Sequence, residues 1–212
     1  KSAEMSKVVE NTFRDINIAF ANELAIICRE AGLDVYEVIR IANKHPRVKI
    51  LSPGPGVGGH CIPVDPWFLI GDYPDQTKVI SWARKVNDDM PKYVLRRTLE
   101  IMKENNIKDF SKVGIYGLSY KENVDDVRES PSLQLLKVIK DNNLPAPIVY
   151  DPYIKNTIVD NQYQNFEEFL KSSELIIVLV AHKELIANSE KLKHKVVYDT
   201  RNIINLPGVY KL

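Results

Sequence analysis

Two cysteines, Cys28 and Cys61, are all that the 212 residues contain. That excludes a disulfide framework and suits a reducing compartment. No apolar run approaches the roughly 18–20 residues needed to cross a bilayer, and the opening KSAEMSKVVE lacks the apolar core of a secretory leader. The expected location is the cytoplasm. An excess of one charge is also missing. The 29 Lys and Arg against 28 Asp and Glu leave a formal net charge of +1, so neither nucleic acid nor an anionic membrane meets the clustered basic surface it needs. Internal repeats and low-complexity segments are absent. No strand-to-helix turn carries the G-x-G-x-x-G of a dinucleotide fingerprint; the first such turn offers only Gly114-x-x-Gly117. His60 beside Cys61 has no second ligand pair nearby, so a structural zinc is not expected, nor any other metal. The chain starts at Lys1, inside a helical pattern and without Met, and is expected to be cut from something longer.

What is present falls into two halves. From Ser2 to Ala31 the apolar residues Val9, Phe13, Ile16, Phe20, Leu24 and Ile27 recur at spacings of three and four, one stripe of a long α-helix. Gly32 can end it, and Asp34 can cap the next helix, DVYEVIRIAN, with Glu37 at the capping-box position. DPWFLI predicts a short helical turn, and residues 75–106 a helix broken or kinked at Met90-Pro91. The pattern then changes to short β-rich runs, KVGIYGL (112–118), APIVYD (146–151), ELIIVLVAH (174–182) and KVVYDT (195–200), with helical candidates between the first three. Such alternation predicts a doubly wound parallel sheet that binds ligands at the carboxyl ends of its strands. The expected fold is α/β, with an all-helical domain over residues 1–108 and a Rossmann-like domain over 109–212.

The candidates for chemistry are individually weak. GPGVGGHCIP (54–63) places four glycines and two prolines around Cys61, a preformed loop whose shape suggests a ligand held beside the thiol. An ordinary buried cysteine is the bland alternative, and Cys28 keeps it. Lys7 and Asn11, four apart on a helix, leave one face together, as a solvated polar face or as donors to an oxyanion. Asp65 is either a helix cap before Pro66 or a carboxylate that activates water. Lys121 and Arg128 frame the polar loop before a helix with Ser130 as cap and Pro131 at its first position. They are surface charges or diphosphate ligands.

Three ordered segments, EMSKVVENTFRDINIAFANELA, HPRVKILSPGPGVGGHCIPVDPWFL and GLSYKENVDDVRESPS, resemble the UDP-glucose/GDP-mannose dehydrogenase family. The likeness covers essentially the whole chain and is strongest to members acting on UDP-N-acetylmannosamine. It implies oxidation of the sugar C6 alcohol to a carboxylate by two NAD⁺, through a thioester on Cys61. By this resemblance Lys7 and Asn11 hold the oxyanion, and Asp65 assists water. Gly56, Gly58 and His60 belong to the loop around the sugar, and Lys121 and Arg201 reach the nucleotide sugar. Arg128 lies near NAD, and Arg47 reaches a neighbouring subunit's substrate. The resemblance also implies that the helical half forms a dimer, and the apolar stripe of the first long helix, too long for a small helical domain to cover alone, is the expected seam of that homodimer. Family members begin with an NAD-binding domain, so this chain would be a C-terminal part, inactive alone. Val57 and IPVD depart from the UDP-glucose enzymes, which carry Phe and Pro-Lys-Asp there, while His60 and Val64 fit the N-acetylhexosamine branch. A UDP-glucose 6-dehydrogenase and a stand-alone dimerisation and UDP-sugar-binding module remain alternatives. A two-electron hydroxyacid dehydrogenase shares the Lys/Asn pair but needs no cysteine.

Overall fold

The computed structural model describes residues 1–212. Helix α1 (Ser2–Glu30) turns inward a face of small and polar residues, among them Asn11, Asp15, Ala19, Asn22, Ala25 and Cys28. The apolar stripe read from the sequence points the other way: Val9, Phe13, Phe20 and Ile27 are all exposed, Phe13 by 64%. The inner face is set by α4 (Lys78–Glu104), which brings the buried Arg84 and Asn87 against it. A charged partner there demands polar neighbours, and alanines let the two backbones approach.

Helix α2 (Val35–Ala42) starts as expected on Asp34, whose carboxylate accepts from the Tyr36 and Glu37 N–H groups at 2.8 and 3.4 Å. Glu37 does not complete the capping box, because Arg40 takes its carboxylate in a two-pronged pair. Helix α3 (Asp65–Asp72) follows the glycine loop. α4 then runs through Pro91 without the break that was one of the two expectations there. Pro91 has no N–H for the carbonyl of Asn87 one turn back, and that carbonyl faces Gly56, 3.6 Å from where a Cβ would stand.

The second half is a six-stranded parallel sheet: β1 (Val113–Tyr116), β2 (Ile148–Tyr150), β3 (Gln162–Tyr163), β4 (Leu175–Val178), β5 (Val196–Asp199) and β6 (Tyr210–Lys211), in the order β3-β2-β1-β4-β5-β6. Pairs such as Ile115 with Val149 and Ile177 fix the central register. Every residue of β1 and β4 is buried, as apolar runs covered on both faces should be. One face packs Val113, Ile115 and Ile177 on α5 (Pro131–Asp141) and on Val94 and Ile101 of α4. The other packs Tyr116, Ile176 and Val178 on Phe169 and Leu170 of α6 (Phe166–Ser172). The two-residue edge strands β3 and β6, and the short helix α7 (Lys183–Ala187) between β4 and β5, were not anticipated. Pairing rather than composition makes elements that short. No helix is long and apolar enough to cross a membrane.

Candidate active site

From Val48 to Gly58 the chain has neither helix nor strand, and asparagine side chains take the place of strand neighbours. Asn17 of α1 donates to the Lys49 carbonyl (2.8 Å) and accepts from the Leu51 N–H (2.9 Å). Asn43, just past α2, treats Ile50 the same way at 2.9 and 2.8 Å, and Asn22 accepts from the Gly54 N–H at 2.8 Å. A carboxamide offers a donor and an acceptor side by side, as a peptide group does. Asn22 is itself held by Asn87 (2.9 Å), which donates to Asp15 (2.8 Å). Asp15 in turn pairs with the buried Arg84 at 2.5 Å. Burial holds the Asp15 carboxyl above its ordinary value despite the opposing pull of Arg84. The inward polar face of α1 therefore anchors the root of the glycine loop.

The loop then lies down on the connection between β1 and α5. Gly59, at φ +89°, donates to the Arg128 carbonyl at 3.0 Å. A Cβ on Gly58 would stand 2.8 Å from the Glu129 carbonyl, from Pro131 and from Tyr120, closer than folded side chains pack. The close approach read from the sequence as one to a ligand is, at Gly58 and Gly59, an approach to the protein's own Tyr120, Glu129 and Pro131. Gly56 does line a cleft.

Cys61 is half-buried, whereas Cys28 is buried. It opens the turn into α3: its carbonyl accepts from the N–H groups of Val64 (3.1 Å) and Asp65 (2.8 Å). Asp65 is not the cap of α3, a position held by Val64. Its carboxylate accepts from Asn11 Nδ2 at 2.5 Å. Lys7, one turn before Asn11, is exposed and pairs with Glu10 at 3.2 Å. Arg128 meets the loop two residues before Cys61, where its carbonyl accepts from the Gly59 N–H. It grips Asp126 through two nitrogens and, by those hydrogen bonds, lowers that carboxyl to about 2. His60 is exposed. The cluster thus offers a reachable thiol, a carboxamide–carboxylate pair and a nearby cation, groups suited to attack on an electron-poor carbon followed by hydrolysis.

A second cluster occupies the point where the strand order reverses, at the carboxyl ends of β1 and β4, the place where open α/β sheets bind ligands. Pro55, Gly56, Tyr120, Lys121, Ser132 and Arg201 line the cleft. Arg201 takes the space that Gly54 leaves, since a Cβ there would stand 2.7 Å from its guanidinium. The amino end of α5 faces the same cleft, with Ser130 as its cap and Pro131 at its first position, as expected. Arg47 is not among these residues. It is exposed on the outer side of α1, in a groove with Phe13, Asn17 and Phe20.

Sequence reasoning missed the residues that hold the cleft. Asp151, at the end of β2, accepts from the N–H groups of Leu118 (2.6 Å) and Ser119 (3.0 Å) and lies 3.1 Å from His182 Nε2. Burial would raise its carboxyl, but the hydrogen bonds from His182 and Leu118 outweigh it, leaving the value below normal. Asp199, ending β5, accepts from Arg201, Ile203 and Ile204 and so shapes the turn bearing Arg201. The available signal was an acid closing each of two β-runs, IVYD and VVYD. An acid there serves equally as an ordinary turn former.

The central-domain model of the UDP-glucose/GDP-mannose dehydrogenase family matches residues 1–89, and that family's UDP binding domain model matches residues 114–206. The UDP-N-acetyl-D-mannosamine dehydrogenase of Methanococcus vannielii is 45% identical over 212 residues, covering 96% of this chain and 48% of the relative. The NDP-N-acetyl-D-galactosaminuronic acid dehydrogenase of Ralstonia solanacearum is 42% identical over 207 residues, with the same two shares of 96% and 48%. The solved UDP-D-ManNAc dehydrogenase of Pyrococcus horikoshii superposes with a TM-score of 0.88 at 38% identity, over 99% of this chain and 51% of that one. The chain spans about half the length of the curated relatives it matches.

Proposed function

The chain belongs to the UDP-glucose/GDP-mannose dehydrogenase family, and from that premise we propose that it is the C-terminal part of an NAD-dependent UDP-N-acetylhexosamine 6-dehydrogenase of the cytoplasm. UDP-N-acetyl-D-mannosamine is the favoured substrate, in keeping with the names of its relatives. One observation carries the reading. A single loop has Gly54 against Arg201, Gly56 in the cleft, and Cys61 one turn before Asp65, the carboxylate that Asn11 holds. A nucleotide sugar fits that order, with its diphosphate at Lys121 and Arg201 and its hexose along the loop towards the thiol.

In this reading the Cys61 thiolate adds to the C6 aldehyde, Lys7 and Asn11 stabilise the oxyanion, and loss of hydride leaves a thioester. Asp65, already bonded to Asn11, orients the water that hydrolyses it and releases the carboxylate. NAD⁺, when bound, supplies the hydride acceptor for both oxidations. Arg128, exposed beside the loop that carries Cys61, suits the anionic part of that cofactor, whose main binding surface we place outside these residues. We place the domain division at 108/109. A second copy is proposed to cover the outer stripe of α1, which brings Arg47 of each copy towards the other's site. The Cys61→Ser variant of the full-length protein tests the thioester. An alkoxide is the scarcer nucleophile at neutral pH, so uronic acid formation should be lost, and acid formed at the unsubstituted rate would overturn the assignment.

A further inference from the structure

Lys121 is exposed at the rim of the cleft, yet the backbone on both sides of it is tied to one buried pair. His182 is wholly buried where β4 leads into α7. Its Nδ1 accepts from the Asn123 N–H at 2.9 Å. Its Nε2 lies 3.1 Å from Asp151 Oδ2 and 3.4 Å from Ser119 Oγ. The same Asp151 oxygen accepts from the Leu118 and Ser119 N–H groups, and the Ser119 hydroxyl donates to the Lys121 carbonyl at 2.8 Å. The left-handed Asn123 (φ +60°) closes the segment, accepting from the Tyr153 hydroxyl (3.2 Å) and the Lys183 N–H (3.0 Å). Residues 118, 119, 121 and 123 are thus each bonded, directly or through Ser119, to Asp151 or His182.

The geometry also sets the tautomer. A nitrogen that accepts an N–H carries no proton of its own, so the His182 proton sits on Nε2 and is donated to Asp151. A second proton on Nδ1 would face the Asn123 N–H, donor against donor. Tyr116 meets the ring edge-on at 5.8 Å and Tyr153 lies 5.0 Å away, which fixes its plane.

We propose that Asp151 and neutral His182 are positioning residues for Lys121: they hold the 118–123 segment so that its ammonium stands ready for the diphosphate of a nucleotide sugar. The inference rests on the nucleotide-sugar reading of the cleft. An exposed lysine samples many directions, and a fixed root removes much of the ordering cost of binding.

A double-mutant cycle with UDP-N-acetylglucosamine as probe, read by calorimetry, tests it. Lys121→Ala should weaken binding about tenfold to a hundredfold, as loss of a charged hydrogen bond does. His182→Phe should weaken it severalfold in the unsubstituted protein, but less than about twofold once Lys121 is Ala, because both changes remove one interaction. His182→Gln keeps a donor and an acceptor and should restore part of the loss. Equal weakening by His182→Phe in both backgrounds would overturn the positioning role. Full binding by Lys121→Ala would instead defeat the nucleotide reading itself. Should the Phe variant not fold, the nitrogen chemical shifts of His182 in the unsubstituted protein still decide. A bare Nδ1 with Nε2–H is expected, and the opposite tautomer or a charged ring at neutral pH overturns the inference.

Discussion

Asp151 shows what one side chain can be asked to do at the end of a strand. Its two oxygens accept from the backbone of Leu118, Ser119, Tyr153 and Ile154 and from His182, so it joins two loops at their roots. These bonds favour the charged form, and the carboxyl lies below its ordinary value. The folded protein therefore holds fewer protons than the unfolded chain between the folded value and the unfolded one of about 3.9. The stability this group contributes is complete above the unfolded value and is lost as pH falls through the folded one. Asp151→Asn keeps the shape but loses the charge and one acceptor. It should lower the free energy of unfolding by about 2–3 kcal/mol at pH 7 and flatten the acid limb of the stability curve. Denaturant unfolding at several pH values reads both, and an unchanged acid limb would deny Asp151 this part.

Helix α1 belongs to a different scale, because its meaning lies in which face it turns where. Its core-facing side is built from Asn11, Asp15, Ala19, Asn22 and Ala25, and its apolar side, with Val9, Phe13, Phe20 and Ile27, is left to solvent. A row of exposed large side chains along a helix is the mark of a surface made to be covered. With the proposed second copy of the chain as cover, a two-fold arrangement would bring Phe13 and Phe20 of each α1 against the other. Phe13→Glu puts a charge into that seam while leaving the buried face untouched. Sedimentation at micromolar concentration should show dimers for the unsubstituted chain and monomers for Phe13→Glu. A monomer in both cases would remove the dimer from the proposal.

For the molecule as a whole, the cleft is assembled by contact between its halves. Lys121 and Arg201 come from the loops that follow β1 and β5, Pro55 and Gly56 from the glycine loop, and α4 packs both on α1 and under the sheet. All the residues proposed to hold the diphosphate are therefore present in this chain. Calorimetry should show heat with UDP-N-acetyl-D-mannosamine and none with NAD⁺, and absorbance at the NADH band should stay flat. Holding the nicotinamide against C6 is worth on the order of 7–11 kcal/mol of barrier, and cofactor free in solution does not replace it. Vigorous NADH formation by the 212-residue chain would overturn that expectation. The sequence by itself determined the long helices, the four central parallel strands and the loop around Cys61. These follow from local periodicity, from apolar runs bounded by turn formers, and from Gly and Pro chemistry that needs no distant partner. Only the tertiary structure decided that α1 turns its polar face inward, because Arg84 lies 69 residues away along the chain and periodicity does not tell a core from an interface. It alone decided that Gly58 and Gly59 make room for Tyr120, Glu129 and Pro131, and that α4 continues through Pro91. The pairing of Asp151 with His182 belongs there too. Each of these depends on which distant groups meet, and a buried polar side chain reveals its purpose only through the partner that satisfies it.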